Sequence, residues 1–237
     1  MRALGLGMAW LCAWTWSAWA GPDWIEKDDA GSFVRTAQRV LGTGELRSIQ
    51  GTLGESLTTP DLVDMYLIRV LNPTRFRFDT TAADFDTQLF ILAVTEGKGG
   101  LEGYGLLGND DAIVNQQRVI GSLIDGPAND GSGARIDEPG IYALAICGRG
   151  RMPTASGKEI YHLADPTEIS GPDGPGGNWA HDGWEGPGPV GRYRILVEGV
   201  GYVDVPSPGT MAGLGLAAWR GLGRRRRGTR ADGAGWA

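Results

Sequence analysis

Of the 237 residues, 40 are glycine, and that abundance limits the folds open to the chain more than any other feature. The usual glycine share is about 7%. In a helix interior each glycine costs about 1 kcal/mol relative to alanine, so a mainly helical fold is excluded. The glycines keep no three-residue period, which excludes a collagen-like rod. At 41% hydrophobic residues the chain is also too apolar for wholesale disorder.

Short segments at 46–53, 63–71, 75–80, 88–94, 118–124, 141–147 and 192–200 are rich in β-branched or aromatic residues. Gly, Pro, Asn and Asp punctuate them, so they read as strands separated by turns. In the segment 64–70, Tyr66, Ile68 and Val70 share one strand face. In 192–197 the alternation places Tyr193, Ile195 and Val197 inward. Asn72-Pro73 is a turn that would fold 63–71 onto 75–80 as a hairpin. The one stretch with a helical look is 32–40. Two glycine-rich insertions, 96–108 and 148–191, read as loops, and the second is long enough to be either functional or disordered. The expectation is an all-β fold, an antiparallel β-sandwich with long Gly/Pro-rich loops. Residues 21–204 suffice for one such domain, burying about 70% of the unfolded surface.

Both ends read as addresses. Residues 1–20 place Arg2 before an apolar run at 3–16, then Ala18-Trp19-Ala20, a small-x-small pattern. That is a secretory signal peptide cut by signal peptidase before Gly21. The run falls short of the ~20 apolar residues of a spanning helix. At the other end, Val205-Pro206-Ser207-Pro208 precedes an apolar stretch at 211–219 and the block Arg224, Arg225, Arg226, Arg227. Apolar residues enter the bilayer while arginines stay on the cytoplasmic side, a transient membrane contact. Arg220 interrupts the span, and near a helix end it reaches the headgroups. Residues 228–237 trail behind as a disordered tail. A basic patch for nucleic acid or anionic lipid is the competing reading, but an exported protein meets little nucleic acid. The order of proline motif, apolar stretch and arginine block resembles the PEP-CTERM sorting signal of bacterial surface proteins. That resemblance implies an exosortase-type transpeptidase as partner.

Between the ends, residues 21–204 carry 15 basic against 27 acidic side chains, a net charge of −12. Such a body repels nucleic acid and anionic lipid, and attracts divalent cations or basic partners. Cys12 leaves with the leader, so Cys147 stands alone and no disulfide forms within the mature chain. A small buried hydrophobe is the role its apolar segment implies.

Calcium takes six to eight oxygens, several from carboxylates held by turns. Asp84, Asp86, Asn109, Asp110 and Asp111 would supply them if the loops bracketing strand 88–94 converge, and ordinary turn formation is the competing role. Trp179 and Trp184, beside His181 and Asp182, would form a stacking platform for sugars, or else fold back to cover the sandwich. A zinc site lacks a motif, because His162 and His181 lie 19 apart without a His-Glu-x-x-His helix or a cysteine pair. The Gly-x-Ser-x-Gly elbow of a serine hydrolase is missing too. Gly97-Lys98-Gly99-Gly100 lacks the upstream glycine and following hydroxyl of a phosphate loop. Twenty-seven acids always allow some carboxylate pair, so glycosidase chemistry has no specific signal.

Three pieces of the body carry a family likeness. They are Asp23-Trp24-Ile25-Glu26 with Asp29-Ala30-Gly31-Ser32; Ile49-Gln50-Gly51-Thr52-Leu53 with Asp64-Met65-Tyr66-Leu67-Ile68; and Asp86-Thr87-Gln88-Leu89-Phe90-Ile91-Leu92 with Asn109-Asp110-Asp111 and the segment 139–146. In this order and spacing the chain, over about 45–200, resembles the bacterial pre-peptidase C-terminal domain. That resemblance implies a jelly-roll-like, non-catalytic module of exported proteins, some members of which bind calcium or matrix polymers. Where relatives place an aspartate after the apolar strand, this chain has Ala93-Val94-Thr95.

The organisation expected is a leader at 1–20, a lead-in at 21–44, a sandwich at 45–204, a sorting signal at 205–227 and a tail at 228–237. The function expected is that of a non-catalytic exported protein of the cell envelope or extracellular matrix, contacting polysaccharide or surface protein. The alternatives are a calcium-dependent carbohydrate-binding module and a secreted hydrolase accessory or weak hydrolase.

Overall fold

A computed structural model describes residues 23–55 and 60–203. Ala18 and Ala20 of the leader, Gly21 after the expected cut, and Val205, Pro206, Ser207, Pro208 and the arginines 224–227 of the tail lie outside the described residues. The described residues form eighteen strands and no helix. In chain order these begin with β1 (Asp23–Ile25), β2 (Gln38–Arg39), β3 (Ser48–Thr52), β4 (Gly54–Glu55), β5 (Pro60–Asp61), β6 (Val63–Val70), β7 (Arg77–Asp79), β8 (Thr87–Gly97) and β9 (Gly100–Asn109). They continue with β10 (Ala112–Val114), β11 (Gln117–Val119), β12 (Leu123–Ile124), β13 (Gly140–Gly148), β14 (Met152–Ala155), β15 (Lys158–Glu159), β16 (Gly183–Glu185), β17 (Arg192–Glu198) and β18 (Val200–Gly201).

Two main sheets face each other. One has the order β1-β3-β17-β7-β12 and the other β18-β6-β13-β8-β9, with β2 also paired to β6. Both are mixed, because β1 joins β3 and β2 joins β6 in parallel. Ile49, Phe78, Tyr193, Ile195 and Val197 from the first sheet meet Tyr66, Ile68, Leu89, Ile91, Leu144 and Ile146 from the second in one core. The inward set of β17 is the one its alternation predicts, with every second residue buried.

The second sheet is covered on its other face as well. Met65, Leu67, Phe90, Leu92, Ala143, Ala145 and Cys147 pack there under Val34, Ala155, Ile160 and Tyr161. This explains why β6, β8 and β13 read as almost unbroken apolar runs: a strand buried on both faces has no polar side to alternate with. The cover comes from the lead-in and from the segment 148–191. That segment is structured, with β14 central in a three-stranded sheet between β15 and β16.

Three local expectations are corrected. The strands at 63–71 and 75–80 do not form a hairpin: β6 pairs with β13 and β18, and β7 pairs with β17 and β12 in the opposite sheet. Asn72 does make a turn, its Oδ1 accepting from the Thr74 amide at 3.0 Å, but the turn carries the chain across the core. The stretch 32–40 is no helix. The Thr36 hydroxyl bonds both the amide and the carbonyl of Phe33, closing a turn that competes with helix, and Gln38 onward is drawn out beside β6. The stretch 96–108 is no loop, since β9 pairs with β8 from Gly100 to Asn109, interrupted by a bulge at Leu106. Its glycines serve close approach: a Cβ on Gly105 would stand 2.4 Å from Ile160 Cγ2, and one on Gly103 2.4 Å from Val34 Cγ2. They give the cover a flat surface.

Candidate functional site

Buried polar side chains gather at one end of the sandwich. β6 and β8 begin there and β9 and β13 end there, as the pairs Asp64 with Ile146, Thr87 with Gly148 and Leu89 with Asn109 require. Burying charge costs several kcal/mol per ion unless partners or a metal meet it. This end holds two carboxylate clusters.

The first contains three of the five residues expected to bind calcium. Asp86, Asp110 and Asp111 each bring an oxygen within 4.8 Å of the other two. Arg149, in the turn after β13, reaches Asp86 at 3.5 Å and Asp110 at 3.3 Å, and Arg118 of β11 pairs with Asp111. Burial, then the charge of Asp111, pushes Asp110 up to about 6. The same two causes raise Asp86, against the pull of Arg149. Asp84 is exposed and outside this group. Asn109 is a structural bracket. Its Nδ2 donates to the carbonyls of Asp111 and Glu168 at 3.0 and 2.8 Å, and its Oδ1 accepts from the Leu123 amide at 2.7 Å.

The second cluster escaped the sequence reading. Glu26, just past β1, meets Asp61 of β5 and Asp64 of β6, again with oxygens within 4.8 Å. No arginine or lysine is salt-bridged to it among the described residues. Asp64 is fully buried; its Oδ2 accepts from the Tyr193 hydroxyl at 2.5 Å, and the Tyr193 and Tyr66 hydroxyls share a hydrogen bond of 2.5 Å. Its Oδ1 has no donor. Burial, with the charges of Glu26 and Asp61 and against the Tyr193 bond, lifts Asp64 to about 9, so it is protonated at neutral pH. Asp61 rises to about 6 through burial and then the charges of Asp29 and Glu26. Glu26 is held by the amides of Thr52 at 2.9 Å and Ala30 at 3.2 Å. Gly51 makes room for it: a Cβ there would lie 2.2 Å from the Tyr193 hydroxyl and 2.5 Å from Glu26 Oε2.

The tryptophans are not a pair. Trp184 packs edge-on to Phe90 and His181, and its Nε1 donates to the Ser32 carbonyl at 2.7 Å. It covers the sandwich. Trp179 is 46% exposed with Lys158 Nζ 5.2 Å from its ring centre. His181 lies between Phe33 and Trp184, and neither ring nitrogen has a hydrogen-bond partner. Burial pushes its pKa down to about 4. Cys147 is buried, its thiol raised by desolvation and directed at the Arg151 carbonyl, 3.2 Å away. His162 is exposed and lines a small hollow beside Asp110 and Arg149.

Chemically, both clusters are arrays of hard oxygen donors, suited to a divalent cation of the calcium type. One sequence signal for the second was present in Asp64, a carboxylate inside an otherwise apolar run. Comparison of the chain with known protein families and with curated proteins finds no match to either.

Proposed function

We propose that this chain is a non-catalytic, exported module displayed at or released from the bacterial envelope, with a jelly-roll-like sandwich related to the pre-peptidase C-terminal domain. The observation that carries the reading is the order of parts: an export leader, an acidic all-β body, then a proline motif, apolar stretch and arginine block. Signal peptidase and an exosortase-type transpeptidase would remove the two ends. An acidic, strand-built body suits contact with extracellular polysaccharide or a basic surface protein. The inert settings of Cys147 and His181 fit a binding role better than nucleophilic chemistry. Intact mass of the protein recovered from its native cells tests the reading. A species beginning at Gly21 and cut within 205–227 is expected; a chain retaining Met1 and Ala237 overturns it.

A second reading, a calcium-dependent carbohydrate-binding module, is favoured by the cluster Glu26, Asp61 and Asp64. Its residues fit a hard cation, since three carboxyl groups converge where no ion pair neutralises them among the described residues, and a dication would displace the proton that Asp64 holds. A cation there would fasten the lead-in to β5 and β6. Glycan-array binding that chelator abolishes supports this reading; binding indifferent to chelator, or absent, removes it. A turnover screen against polysaccharide and peptide substrates separates both readings from a weak hydrolase.

A further inference from the structure

We infer that Asp86, Asp110 and Asp111 form a separate divalent-cation site, in which Arg149 and Arg118 are counter-ions that yield to the metal. The inference goes beyond the second reading above and does not depend on Glu26, Asp61 and Asp64.

Two strand ends supply the ligands: Asp86 enters β8, and Asp110 and Asp111 leave β9. The rigid pairing of those strands therefore sets their spacing. Each carboxylate gives one oxygen, Oδ2, to an arginine and keeps the other, Oδ1, buried with no donor. For Asp110 and Asp111 the side chains are only 6% and 0% exposed, so water reaches those oxygens poorly. A buried carboxylate oxygen without a partner has lost its water with nothing in return, and this site holds three.

The arginines do not meet that demand. They lie on the Oδ2 side, and with side chains 49% and 46% exposed both can turn into solvent with little loss of packing. Each arginine reaches only Oδ2 atoms, from the end of a long, half-exposed side chain, whereas a dication would meet the buried Oδ1 atoms together. Oxygen separations up to 4.8 Å suit Ca2+, which bonds at about 2.3–2.6 Å with flexible geometry. Mg2+ demands an octahedron at about 2.0–2.1 Å and fits less well. A hollow of about 230 Å³, lined by Asp110, Arg149, Gln88 and His162, opens beside the cluster and offers room for the ion's waters and for the departing Arg149.

The test is calorimetric titration of Ca2+, Mg2+ and Mn2+ into the full chain in chelator-stripped buffer, with circular dichroism to confirm folding. Ca2+ binding weakened by roughly tenfold or more in Asp110→Asn and in Asp111→Asn is expected, with Asp84→Asn unchanged. Arg149→Gln is the decisive variant. Removing a competing cation tightens Ca2+ by about fivefold, whereas an arginine needed only for folding leaves it unchanged or weaker. Asp61→Asn must retain this binding, which separates the site from the Glu26 cluster. Should Asp111→Asn not fold, Asp86→Asn at the less buried ligand takes its place. No heat with any of the three metals, or binding unaltered in both Asp110→Asn and Asp86→Asn, overturns the inference.

Discussion

The hydroxyl of Tyr161 accepts the amide proton of Leu106 at 2.9 Å, and so completes a bulge that the sheet itself leaves open. In the pairing of β8 with β9, Ile91 faces Leu107 and Leu92 faces Gly105, which strands Leu106 between them. The same hydroxyl donates to the Ile91 carbonyl at 2.9 Å. One side chain from the 148–191 segment thus satisfies both orphaned backbone groups while its ring packs on Phe90, centroids 5.0 Å apart.

Tyr161→Phe keeps the ring and removes both bonds. Loss of about 1–3 kcal/mol is expected, because the freed amide and carbonyl stay buried. Urea unfolding reads the loss, and hydrogen exchange at Leu106 should quicken with it. An unchanged urea midpoint would mean that water replaces the phenol at the bulge.

Trp184 and Trp179 should separate cleanly. Trp184→Ala opens a cavity among Phe90, His181 and the Ser32 carbonyl, with about 3–5 kcal/mol lost. Trp179→Ala, at a half-exposed ring, should stay within about 0.5 kcal/mol of the parent. Thermal unfolding of the two variants checks this. Equal effects would contradict the different packing of the two rings.

How far the chain could be read in advance follows from this packing. Strand segments were legible because β-branched and aromatic runs between turn formers carry a local signal; β17, with Tyr193, Ile195 and Val197 buried, is the plainest case. Pairing was not. The turn at Asn72 reports a reversal but not which sheet receives the next strand, and the core decided that. β9 was hidden because Gly103, Gly105 and Gly108 look like turn residues until the cover of Val34, Ile160 and Tyr161 is known. Of the calcium candidates, Asp86, Asp110 and Asp111 converge because the β8–β9 pairing joins their loops, a condition that the sequence could state but not decide. Glu26 and Asp64 lie 38 positions apart in sequence; β1 is held on β3 in one sheet and Asp64 sits on β6 of the other, so it is the stacking of the sheets that brings them together. No local pattern encodes such a contact.

Acid should loosen the cover through His181. Its folded pKa, near 4, lies below the unfolded 6.5, so the unfolded chain binds the extra proton. The stability tied to neutral His181 is therefore complete above pH 6.5 and is lost as pH falls from there towards 4, amounting to roughly 2–4 kcal/mol. Histidine 181 replaced by phenylalanine, His181→Phe, keeps the contacts with Phe33 and Trp184 and has no proton to gain. Melting temperatures between pH 7 and 4 should fall less steeply for the variant. Parallel curves would assign the acid sensitivity to other groups.

Gly51 and Tyr193 offer a test of how the Glu26 cluster is built. They are direct partners in the pairing of β3 with β17, and the missing side chain at 51 is what lets the Tyr193 hydroxyl and Glu26 approach Asp64. Gly51→Ala forces a methyl to 2.2 Å from that hydroxyl, an overpacking worth about 1–3 kcal/mol. Tyr193→Phe alone should also destabilise, because Asp64 Oδ2 loses its donor while fully buried. Combined, the two changes should cost somewhat less than their sum, since the phenylalanine removes the nearest of the three atoms that the new methyl strikes, while Tyr193 Cζ and Glu26 Oε2, each 2.5 Å away, remain. A double-mutant cycle from urea titrations measures that coupling. Strict additivity would mean that Gly51 is required by the strand backbone alone, and that the space it leaves has no part in placing Tyr193 against Asp64.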